Sequence, residues 1–155
     1  MAVATHTYHV TTTWTGNSGS GTSGQAGYSR DHSIEIDGKP ALEGSSDPAF
    51  LGDPARHNPE DLLVASLSAC HMLWFLSLAA RARVIVTAYV DRAEGMMETD
   101  RGGGGRFTKV VLRPLITLEA GTDVSVADAL HHDAHEKCFI SQSVNFPVTI
   151  EAEYR

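Results

Sequence analysis

Cys70 and Cys138 are the only cysteines in the chain, and a thiol is the side chain best suited to attack an electrophile or to bind a soft metal. They do not form a CxxC pair, and two sulfurs alone do not make a zinc cage. Three readings follow: two unrelated core thiols, a catalytic pair, or part of a metal site. Residues 131–138, HHDAHEKC, add imidazoles to the inventory. His131 and His135 stand at i, i+4, and His135 and Cys138 at i, i+3, spacings that suit a metal. The Glu of an HExxH motif is absent, however, and so is a convincing fourth ligand. Histidines near a helix C-terminus are favoured by its dipole with no metal present, and no metal is expected here.

The elements that must carry these thiols can be read from local pattern. Residues 58–73, NPEDLLVASLSACHML, open a helix. Asn58 is a good N-cap, Pro59 fits the first helical position, and Glu60 and Asp61 complement the helix dipole. From residue 62 to 80 the chain has no Asp, Glu, Lys or Arg, which is long enough to pose the question of a membrane span. Three serines and His71 lower its hydrophobicity, and a helix apolar on every side is otherwise one surrounded by protein. A domain of 155 residues can hardly wrap such a helix alone, so a homodimer is expected. Arg81 and Arg83 put cations at the helix end.

A second helix is expected over residues 123–137. Along it Ala127, His131, Ala134 and Cys138 recur at i, i+4, i+7 and i+11, one stripe that would face the interior. Residues 6–15, 28–36, 84–91, 107–119 and 147–154 are rich in β-formers and read as strands. Asp37-Gly38 signals a hairpin turn. Residues 16–27 read as a Gly/Ser hairpin loop and 41–57 as irregular. The run DRGGGGR lacks the following helix and Lys of a phosphate loop and reads as a turn. Strands, helix, strands, helix, strand make one α+β domain, residues 1–155.

Composition narrows the partners. A formal charge of −7, with 12 scattered Lys and Arg, argues against nucleic acid or an anionic membrane as the main partner. The N-terminal residues show neither the charged nor the apolar region of a signal peptide. A cytoplasmic, reducing compartment is therefore expected, where a permanent disulfide is disfavoured.

The stretch NPEDLLVASLSAC resembles the signature of the OsmC/Ohr family: Asn-Pro-Glu, a helix, then a cysteine ten residues after the glutamate. The tail KCFISQSVNFPVTIEAEY is similar to that family's second-cysteine segment. The resemblance implies an OsmC-like α+β fold, with antiparallel sheets packed around a long buried central helix in an intertwined homodimer. It implies a thiol peroxidase acting on organic hydroperoxides, with hydrogen peroxide as a further substrate, and using neither metal nor flavin. Cys70 would be the peroxidatic thiol and Cys138 the resolving one, joined as a redox-active disulfide that an external dithiol, such as a lipoylated protein, reduces. Glu60 would orient an arginine that activates Cys70. Relatives place this arginine either on the N-terminal strands or just before Asn-Pro-Glu, which leaves Arg30 and Arg56. Arg30 is favoured because a strand holds it more rigidly.

Ten residues of straight helix rise about 15 Å, so Glu60 and Cys70 of one helix cannot share a contact. Either the helix breaks early or packing, including that of a second subunit, brings the groups together. His71 stands where relatives often carry an aromatic, and either a core or a catalytic role suits it. His57 precedes the motif as a loop residue. The rival function is a non-enzymatic protein holding a metal or apolar ligand through Cys70, His71, His131 and His135. A membrane-anchored protein is a third reading.

Overall fold

Asn58 and Pro59 start the first helix where the pattern places it. In the computed structural model, which describes residues 3–155, helix α1 spans Pro59–Arg81. Asn58 Oδ1 accepts the Asp61 N–H at 2.7 Å, satisfying one of the donors a helix start leaves free. Met1 and Ala2, the beginning of the segment read for a leader, lie outside the described residues. The far end of α1 closes with Arg83 N–H on the Ala80 carbonyl and Val84 N–H on that of Ala79. Arg83 takes a left-handed conformation, φ 59°, the paired-bond closure usually given to glycine.

The chain divides into two compact units, Met1–Leu62 and Leu63–Arg155. The first holds an antiparallel sheet of β1 (Thr11–Trp14), β2 (His32–Glu35) and β3 (Leu42–Gly44) in that order. The Asp37-Gly38 turn joins β2 to β3 as expected, with Gly38 at φ 75°. The strand expected over 6–15 forms only at 11–14, where β2 supplies a pairing partner; Tyr8 and Val10 are exposed. Residues 16–27 do connect the hairpin. Asn17 Oδ1 accepts the N–H groups of Gly19 and Gly21, and the Gly16 backbone lies so close to the Ser29 carbonyl that a Cβ would collide with it. Residues 41–57 are less irregular than expected. They contain β3 and a 3-10 turn at Pro48–Phe50 capped by Asp47, and the buried Ser45 ties them together through Asp53 N–H and the His57 carbonyl.

The second unit carries two further sheets of three strands each. One orders β4 (Val86–Asp91), β7 (Pro114–Leu118) and β9 (Glu153–Tyr154); the other orders β5 (Glu94–Thr99), β6 (Gly105–Leu112) and β8 (Val148–Ile150). Three corrections to the strand reading follow. Residues 107–119 are two strands, because Pro114 has no N–H to continue a ladder and the chain changes sheet there. Residues 147–154 split in the same way between β8 and β9. The segment 94–99 is a strand that its composition, EGMMET, does not advertise. β4 pairs antiparallel with β7, and β5 and β6 form an antiparallel hairpin that the strand reading did not contain, whereas β8 and β9 add to their sheets in parallel. They return from the second helix in the same direction as β6 and β7, so only parallel pairing is open to them.

Asp91 organises these sheet changes. Its Oδ1 accepts the Arg113 N–H at 2.7 Å, and its Oδ2 accepts the Ser68 hydroxyl at 2.6 Å. Arg113 in turn pairs with Glu94 and Glu151, one residue from each of the other crossings. Asp91→Ala removes two charge-assisted acceptors and is expected to cost about 2–3 kcal/mol, read as a lower midpoint in urea unfolding.

Helix α2 spans Val124–Lys137, with Asp123 as N-cap. Ala127, His131, Ala134 and Cys138 are all buried, at 0, 6, 0 and 1% exposure. The expected inward stripe is therefore present. Along α1 the apolar residues divide between two cores. Leu67 packs with Val110 and Leu112 of the β5–β6–β8 sheet, while Phe75, Leu78 and Ala79 pack with Ile116, Ala127 and Ala134. α1 is long and apolar enough to cross a membrane by length and composition alone, but this stripe makes it the core helix of the second unit. The chain by itself covers only that stripe. Ala65, Ala69, Leu73 and Ala80 form an opposite, exposed one, with Leu73 at 63% exposure.

Candidate active site

The two helices bring the two thiols together across 68 residues of sequence (138 − 70). Cys70 is half-buried on α1, Cys138 is buried at the end of α2, and both are free thiols. The Ser141 N–H points at the Cys138 sulfur, 3.4 Å away. Burial, and then the hydrogen bond with Cys70, push the Cys138 thiol up to about 11. Cys138 therefore keeps its proton at neutral pH. Cys70 is the sulfur that a molecule from outside can reach.

It is reached through a groove of about 300 Å³ lined by Cys70, Leu73, Trp74, Ser77, Arg81 and Phe139. Trp74 and Phe139 meet edge to face at 5.7 Å. Five of these residues come from one face of α1, at i, i+3, i+4, i+7 and i+11 from Cys70, and the sixth follows Cys138 directly. The lining is apolar except for Ser77 and for Arg81 at the far end. Sequence reasoning missed these residues, although the helical spacing counted from Cys70 would have found those on α1. Such a groove can admit an apolar molecule to the Cys70 sulfur.

Beside the thiols stand three imidazoles. His71 Nε2 and His131 Nδ1 lie 2.8 Å apart in nearly coplanar rings, 4° between planes. Phe75 stacks on His131 at 4.3 Å. Burial holds both rings neutral, each lowered to about 4. His135 instead faces the Ser141 hydroxyl at 3.2 Å. Among the described residues no three His, Cys, Asp or Glu side chains converge as a metal would require. The ligand set of the metal-binding reading is thus not assembled, because His71 and His131 bond each other.

The expected Glu60 and arginine partners belong to the first unit. Glu60 Oε2 is buried with no hydrogen-bond partner among the described residues. Arg56 is surrounded by carboxylates, bonding Glu43 at 2.5 Å and lying 3.6 and 3.8 Å from Asp53 and Asp31. Among the described residues Arg30 bonds only neutral oxygens, the carbonyls of Gln25 and Tyr28 and Gln25 Oε1, and lies over the Tyr28 ring. Among the described residues no ion pair joins Glu60 to either arginine. α1 runs unbroken from Pro59 to Arg81, so the early helix break is not the route by which Glu60 could approach Cys70. His57 accepts through its carbonyl from Ser45 N–H and is exposed.

Comparison with known proteins agrees with this architecture. An OsmC-like protein from Vibrio cholerae O1 biovar eltor, of unknown function, is 35% identical, with 96% of this chain and 100% of that one covered at a TM-score of 0.86. An organic hydroperoxide resistance protein from Elizabethkingia anophelis shares the fold at 21% identity, with 98% and 99% covered and a TM-score of 0.72. An organic hydroperoxide resistance protein from Legionella pneumophila does so at 20% identity, with 98% of each chain covered and a TM-score of 0.71. No curated protein matches. The family described as OsmC-like protein matches residues 52–153, and with both cysteine segments inside that span the chain belongs to the OsmC-like protein family.

Proposed function

We propose that the chain is a cysteine-based peroxidase that reduces organic hydroperoxides, with Cys70 as the attacking thiol and Cys138 as the resolving thiol. The observation that carries this reading is the contact between two free thiols, only one of which opens onto an apolar groove. An organic hydroperoxide pairs an apolar body with a reactive O–O bond, and the groove ends at Cys70. Attack of the Cys70 thiolate on the outer oxygen breaks the O–O bond. Cys70 becomes a sulfenic acid and the substrate leaves as an alcohol after taking a proton. The Cys138 sulfur then displaces hydroxide from the Cys70 sulfenic acid. The S–O bond breaks, the S–S bond forms, and the Cys138 proton leaves with the hydroxide as water. An external dithiol, of which a lipoylated protein is one kind, restores both thiols by exchange. The neutral core around Cys138 suits a thiol that must stay protonated until the sulfenic acid exists.

A thiolate in such surroundings needs a cation. Arg30 is the better candidate, because no carboxylate neutralises its charge among the described residues, whereas Arg56 faces three. The partnerless Glu60 Oε2 is the acceptor that would orient it. Arg30→Ala is expected to slow sulfenic acid formation by about 10²-fold, while Arg56→Ala stays within about threefold. Stopped-flow kinetics with cumene hydroperoxide checks this, and the opposite ranking assigns the role to Arg56.

Homodimerisation is part of the same proposal. The exposed stripe of α1 lies next to the face that carries Cys70, so a second copy seated on it would border the groove. Activity that persists unchanged in a true monomer on dilution would contradict a site at that interface. We read both units as one OsmC-like domain because α1 runs through the boundary between them. A cytoplasmic home, with neither nucleic acid nor membrane as main partner, is part of the same proposal, which the acidic charge supports. The direct test is dithiol-dependent consumption of cumene hydroperoxide, which a chain with no peroxidase activity would leave untouched.

A further inference from the structure

His71 and His131 have no part in the thiol chemistry, yet they sit where it is set up. His71 directly follows Cys70 on α1. His131 lies two turns before Cys138 on the buried stripe of α2. The thiol contact and the His–His hydrogen bond therefore join the same two helices. The imidazole pair is 1% and 6% exposed, and its 2.8 Å bond lies among Phe75, Ala127 and Ala134.

The pair is a costly way to fill space. Two neutral rings share one proton between their facing nitrogens, so one outer nitrogen carries an N–H and the other is a bare acceptor. Those outer atoms, His71 Nδ1 and His131 Nε2, are both buried without partners among the described residues. An apolar pair of similar volume would avoid that cost. What an apolar pair cannot supply is direction. A single N–H···N bond fixes both the rotation of α2 and its height along α1, whereas hydrophobic contact tolerates sliding and rotation. Buried polar contacts are best attested as setters of register.

We infer that the His71–His131 hydrogen bond is a register clamp that keeps Cys138 against Cys70, making both histidines positioning residues for disulfide closure. The inference rests on the thiol-pair reading above, but it can be measured without any peroxide. Placement across two helices matters because closure requires the Cys138 sulfur in line behind the Cys70 S–O bond, or behind a mixed disulfide. A misplacement of about 1 Å is enough to cost such a step 10²-fold.

The test equilibrates the full chain with reduced and oxidised glutathione and measures the Cys70–Cys138 disulfide by mass spectrometry, alongside thermal unfolding. In the double variant H71L/H131L the equilibrium constant for closure is expected to fall at least about tenfold, with a Tm equal to or above that of the wild type. His71→Gln, whose amide can still donate to His131 Nδ1, is expected to restore closure to near the wild-type value. Closure unchanged in the double variant overturns the clamp, as does a wild-type chain that never closes the disulfide. If the double variant does not fold, His71→Asn, too short to reach His131, takes its place; closure retained there overturns the inference equally. A wild-type chain that closes with glutathione but ignores hydroperoxide would defeat the peroxidase reading alone.

Discussion

Replacing Cys70 by Ser is expected to abolish hydroperoxide consumption, a loss of about 10³-fold or more. Serine keeps the size and loses the chemistry, since its hydroxyl does not ionise near neutral pH and oxygen attacks peroxide poorly. Fold and stability should hardly change, because Cys70 is half-buried and a serine hydroxyl can keep the hydrogen bond with Cys138. Cys138→Ser should behave differently. The first turnover should proceed at close to the normal rate, since Cys138 does not touch the substrate, and should then stall with sulfenic acid on Cys70. Dimedone labelling of Cys70, with one equivalent of alcohol released, reads that state. Equal loss in both variants at the first step would mean that Cys138 does more than resolve.

The second large effect is acid lability. The His71 and His131 rings are held neutral, each at about 4, against an ordinary value of about 6.5 in the unfolded chain. Burial is the first cause for both. For His71 the neighbouring His131 and His135 add to it, while Asp128 and Asp91 oppose it at His131. The sign follows from proton counting. Below pH 6.5 the unfolded chain binds protons that the folded chain refuses, so stability is fully present above that pH and is lost as the pH falls toward 4. By pH 4 each ring has withdrawn about 3 kcal/mol, a large part of the whole for a domain of ordinary stability. Urea midpoints measured between pH 7 and 4 should fall steeply, and the double variant H71L/H131L should flatten the curve. A wild-type curve that is flat over this range would mean that water already reaches the pair.

Parts of this structure are written plainly in local pattern, and others are not local at all. The first helix begins at Pro59 because Asn58 and Pro59 act within one turn. The buried stripe of α2 is legible because helical period depends on nothing beyond the helix itself. The contact of Cys70 with Cys138 could be expected only from family resemblance, since periodicity can aim each thiol inward but cannot make two stripes meet. The split at Arg113–Pro114 shows the opposite limit. A run of β-formers says that a strand exists and Pro114 can break its ladder, but the change of sheet is also held by the Arg113 N–H on Asp91, 22 residues earlier. Glu94–Thr99 escaped notice because glycine and methionines hide a strand that its pairing with β6 stabilises. His71 and His131 were each visible singly. Their pairing becomes apparent only once the two cysteines are placed together, because each histidine stands at a fixed helical offset from one of them.

The central claim is that Cys70 and Cys138 form one redox centre, and the most direct measurement is mass spectrometry of the reduced chain after one equivalent of cumene hydroperoxide. The account predicts rapid loss of two hydrogens and a Cys70–Cys138 crosslinked peptide, absent from Cys70→Ser. Thiols that remain free while the hydroperoxide persists would contradict it.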